Sequence, residues 1–210
     1  MRIRRSYELL PSLLVALALA LAACSDSDSD PTEVEPDPEP ADTVDLVEGT
    51  TIGTEVFPIG NTAQGGQGDP VGGIGCIDDV AAHYHAHLSL FVEGERIAIP
   101  AAVGAVDPVF ANNLVTGAAC LYWIHTHDAT GLIHIEPPAP GEFTLGDFFD
   151  IWGQPLSANQ VATYSGELSV FVDGVRYEGD PREIVLVSRM HVSLQVGRPL
   201  APPPMYNFQG

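Results

Sequence analysis

The sequence predicts a mainly β domain of the α+β class, with one or two short helices, built from hairpins into a single sheet or sandwich-like core. Three observations carry that expectation. Residues 83–93 alternate, with His83, His85, His87, Ser89 and Phe91 on one side and Tyr84, Ala86, Leu88, Leu90 and Val92 on the other, the period of a strand. Two such runs turn at an acidic residue followed by glycine, Glu93-Gly94 and Asp173-Gly174, which is a hairpin signature. Apolar residues make up 45% of the 210, enough for one core in a domain of about 150 residues.

At the N-terminus, Arg2, Arg4 and Arg5 precede an apolar stretch over residues 9–23, shorter than the roughly 20 residues with which a helix spans a bilayer. Residues 1–23 read as an export signal. The stretch closes on Leu21-Ala22-Ala23-Cys24, which resembles the lipobox of bacterial lipoproteins. The resemblance implies removal of the signal and lipidation of Cys24, so that the membrane is a partner through the N-terminus. An uncleaved anchor helix is the alternative, and it leaves the domain on the same, extracytoplasmic side. Ser25, in place of aspartate, points to the outer membrane, periplasmic side, in a cell that has one.

Residues 24–50 carry ten acidic and no basic side chains and read as a disordered Ser/Asp/Pro-rich tether, since like charges extend such a chain and little apolar surface is available to bury. Residues 51–75 form an irregular lead-in, with seven glycines between Gly60 and Gly75 but no strand-turn-helix context for a nucleotide loop. The folded domain then occupies residues 76–200. Its first strand turns at Glu93-Gly94 and returns through Arg96 to Ile99. Thr144 can cap a short helix with Asp147, and Leu145, Phe148, Phe149 and Trp152 fall on one helical face that packs on the sheet. Residues 157–160 are expected to add one more helical turn. A last strand runs through Ile184, Leu186, Met190, Val192, Leu194 and Val196, placing Met190 on the apolar face rather than among metal ligands. Residues 201–210 are a proline-rich tail in which Pro202, Pro203 and Pro204 end regular structure.

Residues 88–96, Leu-Ser-Leu-Phe-Val-Glu-Gly-Glu-Arg, reappear at residues 168–176 as Leu-Ser-Val-Phe-Val-Asp-Gly-Val-Arg. A shorter echo aligns His191-Val-Ser-Leu with His87-Leu-Ser-Leu. Duplication of a hairpin and coincidence of strand composition both account for these echoes.

The seven histidines, His83, His85, His87, His125, His127, His134 and His191, lie on strand faces opposite the aliphatic residues. Asp128-Ala-Thr-Gly131 has the pattern of a type I turn, and a four-residue loop there pairs His127 with Leu132 and His125 with His134. Opposed residues on one face lie about 5 Å apart at Cβ, so His125, His127 and His134 converge, with Glu136 further along the same face. Three neutral imidazoles at that spacing can hold a divalent ion. Cys76 and Cys120 form an even pair in an oxidising compartment and are expected to be bridged, with thiolate ligation by a reduced Cys120 as the alternative. The bridge would set the His83–His87 strand beside the His125–His127 strand, gathering five or six imidazoles, and His191 joins if its strand repeats the position of His87. Solvated or hydrogen-bonded structural histidines, and acid–base chemistry without metal, remain the other readings.

Residues 83–156 contain His-Tyr-His-Ala-His-Leu, Cys-Leu-Tyr-Trp-Ile-His-Thr-His-Asp-Ala-Thr-Gly-Leu-Ile-His-Ile-Glu and Phe-Thr-Leu-Gly-Asp-Phe-Phe-Asp-Ile-Trp-Gly. In these the chain resembles an uncharacterised family of exported bacterial proteins, over most of its length after Cys76. The resemblance implies a single domain and carries no activity. The chain does not resemble a cupin, because Glu136 follows His127 by nine residues rather than four or five.

A net charge of −20 argues against nucleic acid as a partner, and the absence of lysine excludes a Walker-type loop and Schiff-base chemistry with pyridoxal phosphate. Neither His-Glu-x-x-His nor Gly-x-Ser-x-Gly is present. Three functions stay open. The first is a lipoprotein binding a divalent transition metal, copper, zinc or nickel, for buffering, delivery or resistance, with or without a protein partner in metal handling. The second is a metal-dependent enzyme with three histidine ligands and Glu136 or Asp128 as proton acceptor or as support behind the ligands. The third is an interaction module that docks through Trp123 and Phe91.

Overall fold

A computed structural model describes residues 36–60 and 65–208. The export signal, Cys24 and residues 24–35 of the tether lie outside the described residues. The domain is mainly β, and its largest sheet has seven strands: β1 (Tyr84–Val92), β2 (Glu95–Ile97), β3 (Ile124–His125), β4 (Leu132–Ile135), β5 (Leu168–Val172), β6 (Val175–Arg176) and β7 (His191–Val196). Their order is β6-β5-β7-β1-β4-β3, with β2 also paired to β1. All pairings are antiparallel except β7 with β1, which run parallel. The other strands form four small sheets of two or three strands.

Alternation builds the core. Ala86, Leu88 and Leu90 of β1, Ile133 and Ile135 of β4, and Val192 and Leu194 of β7 share the apolar face with Ile124. The helix α1 (Leu145–Trp152) closes over that core with Leu145, Phe148, Phe149 and Trp152, all fully buried. Its start is fixed as the sequence predicts: the Thr144 side chain accepts from the Asp147 amide while the Asp147 carboxylate accepts from the Thr144 amide, satisfying two otherwise orphaned donors. Gly153 stops it in the left-handed conformation, φ 70°. Both acidic-glycine turns are as expected, with positive φ at Glu93, Gly94, Asp173 and Gly174, the requirement of a type I′ hairpin.

The two echoes coincide with structural correspondences. Residues 88–96 and 168–176 are both hairpins, β1–β2 and β5–β6, and the shorter echo is the register itself: His191 pairs with His87, Val192 with Leu88 and Ser193 with Ser89 across the parallel pair.

Four expectations are corrected. Residues 36–50 do not behave as a tether: Val44–Asp45 pairs in parallel with Tyr206–Asn207, Asp37 forms an ion pair with Arg176, and the Gly49 amide donates to Asp128 Oδ2 at 2.6 Å. The tail is likewise drawn into that pairing beyond its prolines. Residues 157–160 form a turn between the short strands Leu156–Ser157 and Gln160–Val161 instead of helix, because Ser157 Oγ and Asn159 hydrogen-bond locally and so stabilise the turn. The last strand begins at His191; residues 184–190 reach it through a turn, although Met190 does pack on the apolar side.

The sheet's polar face is covered as well. Gln195 Oε1 accepts from the Ala201 amide and Gln195 Nε2 donates to the Ala201 carbonyl, and Arg96 donates to the Tyr206 hydroxyl while lying over the Phe91 ring. Phe91 is therefore buried. Trp123 packs edge-on to Phe143 against the core and donates to the Cys76 carbonyl. Neither residue is the exposed docking anchor that alternation suggests.

Candidate metal centre

The site is a row across three strands. His125 of β3 pairs with His134 of β4, as the loop length predicts, and His134 pairs with His85 of β1. The two His-x-His rows do not lie side by side, as the bridge offsets suggested, because β4 inserts between them. That insertion makes His134 the centre of the group. Its ring touches the other four, with centroids 4.3 Å from His85, 4.4 Å from His127, 5.3 Å from His125 and 5.9 Å from His83. Cys76 and Cys120 are bridged, so neither offers a thiolate.

Among the described residues two triads are spaced to hold a metal ion, His83/His85/His134 and His125/His127/His134, in each of which one nitrogen per ring lies within 4.8 Å of the others. Their proton chemistry differs. His125 Nδ1 lies 2.8 Å from the Tyr122 carbonyl and His127 Nδ1 2.5 Å from the Val115 carbonyl. A carbonyl only accepts, so both rings carry the proton on Nδ1, and in the neutral rings each Nε2 is a bare lone pair. These two Nε2 atoms are 2.9 Å apart. Lone pairs facing each other at that distance repel unless a cation lies between them. Ligand nitrogens about 2.0–2.1 Å from one ion are themselves about 2.9–3.4 Å apart, and carbonyls that hold Nδ1–H are the usual support of a metal-ligating histidine. Burial first, then the neighbouring His127, lowers the pKa of His125 from 6.5 to about 3, so His125 itself does not supply a proton to the gap.

In the other triad, His85 Nε2 has two nitrogen neighbours, His83 Nε2 at 2.9 Å and His134 Nδ1 at 2.8 Å. A ring nitrogen offers one proton or one lone pair in its plane, so it satisfies one of the two well. An ion accepting all three lone pairs removes the conflict, once His83 Nε2 gives up the proton that it donates to the Glu136 carboxylate in the metal-free site. His83 Nε2 also lies 3.0 Å from Glu136 Oε1, which places Glu136 at the edge of the cluster on the histidine face. His134 is held neutral by burial and then by the four surrounding imidazoles, His125 foremost, which lower its pKa strongly.

Two predicted ligands stand apart. His87 Nε2 donates to the Thr130 carbonyl at 3.0 Å and its Nδ1 accepts from Ser89 Oγ, a hydrogen-bonded core histidine whose pKa burial pushes well down. His191 Nε2 accepts from the Tyr206 amide at 2.9 Å and anchors the tail. Of the two roles open to Asp128, its hydrogen bonds fit support of the loop. Its Oδ1 accepts from the amide and hydroxyl of Thr130 and its Oδ2 from Gly49, so the carboxylate organises the loop that carries His127. That loop departs from the expected pairing: β3 ends at His125, and Leu132 pairs with His87 instead of His127. It is pressed so close to β1 that a Cβ on Gly131, φ 92°, would sit 2.2 Å from the Leu88 carbonyl oxygen.

A cavity of about 210 Å³ opens on the second triad, lined by His127 and His134 with Glu48, Leu114, Thr116 and Asp128. Glu48 is a site residue that sequence reasoning missed, since nothing in an acidic, proline-rich run distinguishes one carboxylate from another. The supporting carbonyls of Tyr122 and Val115 likewise leave no mark in side-chain sequence.

No family model, no curated protein and no solved structure matches the chain. The site's chemistry therefore carries the functional reading.

Proposed function

We propose that this protein is a lipid-anchored, extracytoplasmic metal-binding lipoprotein. It holds a divalent transition ion, copper or zinc, through clustered imidazoles for buffering, delivery or resistance. The observation that supports this most is the pair of bare Nε2 atoms of His125 and His127, 2.9 Å apart and each backed by a backbone carbonyl on Nδ1. An all-imidazole donor set suits Cu(II), Zn and Ni, and raw affinity orders copper first. Cys24 supplies the anchor, and the stretch over residues 9–23 supplies export. The test is elemental analysis of untagged protein, wild type beside His125→Gln/His127→Gln. Stoichiometric metal in the first that is reduced in the second supports the reading; equal content in both contradicts it.

The cavity beside His127 and His134 supports a second reading, a metal-dependent enzyme with a small substrate. About 210 Å³ is below the 300–1,000 Å³ of common small-molecule sites, which limits the substrate to a few heavy atoms. In that case Glu48, which lines the cavity, is better placed as proton acceptor than Glu136, which contacts His83. Turnover by metal-loaded protein that is lost in Glu48→Gln with metal content unchanged would establish it; a screen of small hydrolysable or oxidisable substrates without turnover would exclude it.

A further inference from the structure

We infer that the site is dinuclear, with the imidazole of His134 bridging two metal ions; this rests on the metal-binding reading above. His134 is the one residue common to both triads, and the other four histidines divide into two pairs flanking it. The flanking is nearly symmetric, with the His85 and His127 rings set edge to face on His134 at 4.3 and 4.4 Å. One nitrogen of His134, Nδ1, is committed to the first triad by its 2.8 Å contact with His85 Nε2. Imidazole has a second nitrogen, and the second triad needs a third ligand beside His125 and His127.

Each triad also has its own access to solvent. His83 is half-exposed at one end, and the cavity reaches His127 and His134 at the other. Two ions can therefore enter from opposite ends, one held by His83, His85 and Nδ1 of His134, the other by His125, His127 and Nε2 of His134. Bridging requires the His134 ring as its anion. One ion takes the lone pair that the neutral ring already offers; the N–H proton leaves to solvent, and the second ion takes that proton's place on the other nitrogen. The charge left by two divalent ions is offset in part by that anion, by Glu136 beside His83 and by Glu48 in the cavity wall. Bridged ions sit about 6 Å apart, two bonds of about 2.0 Å plus the width of the ring.

Copper(II) alone is the probe. Titrated into the metal-free full chain, it is expected to bind at two equivalents per chain. The two spins couple through the imidazolate, so the low-temperature electron paramagnetic resonance signal of the doubly loaded protein integrates to well under two spins. His83→Gln/His85→Gln, altered at the exposed end, and His125→Gln/His127→Gln are each expected to bind one equivalent with a full spin. One equivalent in the wild type overturns the dinuclear assignment and leaves the metal-binding reading standing. Two equivalents with a full count of two spins overturn the bridge. No tight copper in the wild type overturns both.

Discussion

Removing the titrating ring at His125 isolates one term of the acid sensitivity of the metal-free fold. The pKa of His125 falls from 6.5 in the open chain to about 3 in the fold, through burial and then the neighbouring His127. Between those values the unfolded chain binds more protons than the native one, so stability falls as pH falls. The contribution is complete above about pH 6.5 and shrinks by about 1.4 kcal/mol per pH unit below it, until the folded pKa is reached. From pH 7.5 to 5.5 the loss through His125 alone is about 1.4 kcal/mol. His87 and His134 are shifted in the same direction by burial, so both add to the acid sensitivity. The chain's net charge of −20 works the other way, because acid relieves its self-repulsion, and a difference between two proteins cancels that term. The assay is urea unfolding of wild type and His125→Gln, both metal-free in chelator-treated buffer, at pH 7.5 and 5.5. Wild type should lose about 1.4 kcal/mol more than the variant between the two pH values. An identical pH dependence in the two proteins would refute the reasoning.

Metal should stabilise the fold at neutral pH: an ion at about 100 times its Kd adds about 2.7 kcal/mol, so the melting temperature at pH 7 should rise by several degrees with zinc, and no shift would count against a native-state site. His87→Gln should leave metal content unchanged while lowering stability, since both ring nitrogens of His87 are engaged elsewhere; a loss of metal in this variant would show that the ligand assignment is wrong. Reduction of the Cys76–Cys120 bridge, which spans 44 residues, should cost up to about 4 kcal/mol. It should also weaken metal retention more than it changes the far-ultraviolet spectrum, because Cys76 bridges to Tyr122, whose carbonyl holds His125; unchanged affinity after reduction would contradict this. Gly131→Ala should destabilise the fold by well over 1 kcal/mol, since the added carbon meets a strand carbonyl at 2.2 Å, and thermal unfolding at an unchanged temperature would show that the loop yields instead.

Much of the β architecture was legible because it is local. Alternation fixed the faces of β1, the acidic-glycine pairs fixed two hairpins, and the four-residue spacing of Asp128 to Gly131 set His125 against His134. The similarity of residues 191–194 to residues 87–90 marked two strands that lie in register as parallel neighbours. The non-local features were not legible. Whether β4 lies between the two histidine rows depends on strand pairing across the whole domain, and a disulfide offset is equally consistent with either order. Composition alone also misjudged residues 36–50, where backbone pairing to Tyr206–Asn207 and the Asp37 ion pair hold an acidic segment that has little apolar surface to bury. His87 and His191 show the limit of periodicity: it places a ring on the correct face without telling whether its nitrogens are already satisfied.

X-ray absorption at the metal edge of natively purified protein tests the central claim most directly. Imidazole nitrogens gathered on one sheet face predict a first shell of nitrogen at about 2.0–2.1 Å with the outer-shell scattering of histidine rings and no sulfur at about 2.3 Å. Protein that carries no stoichiometric transition metal, or whose metal has a shell without imidazole scattering, would contradict it.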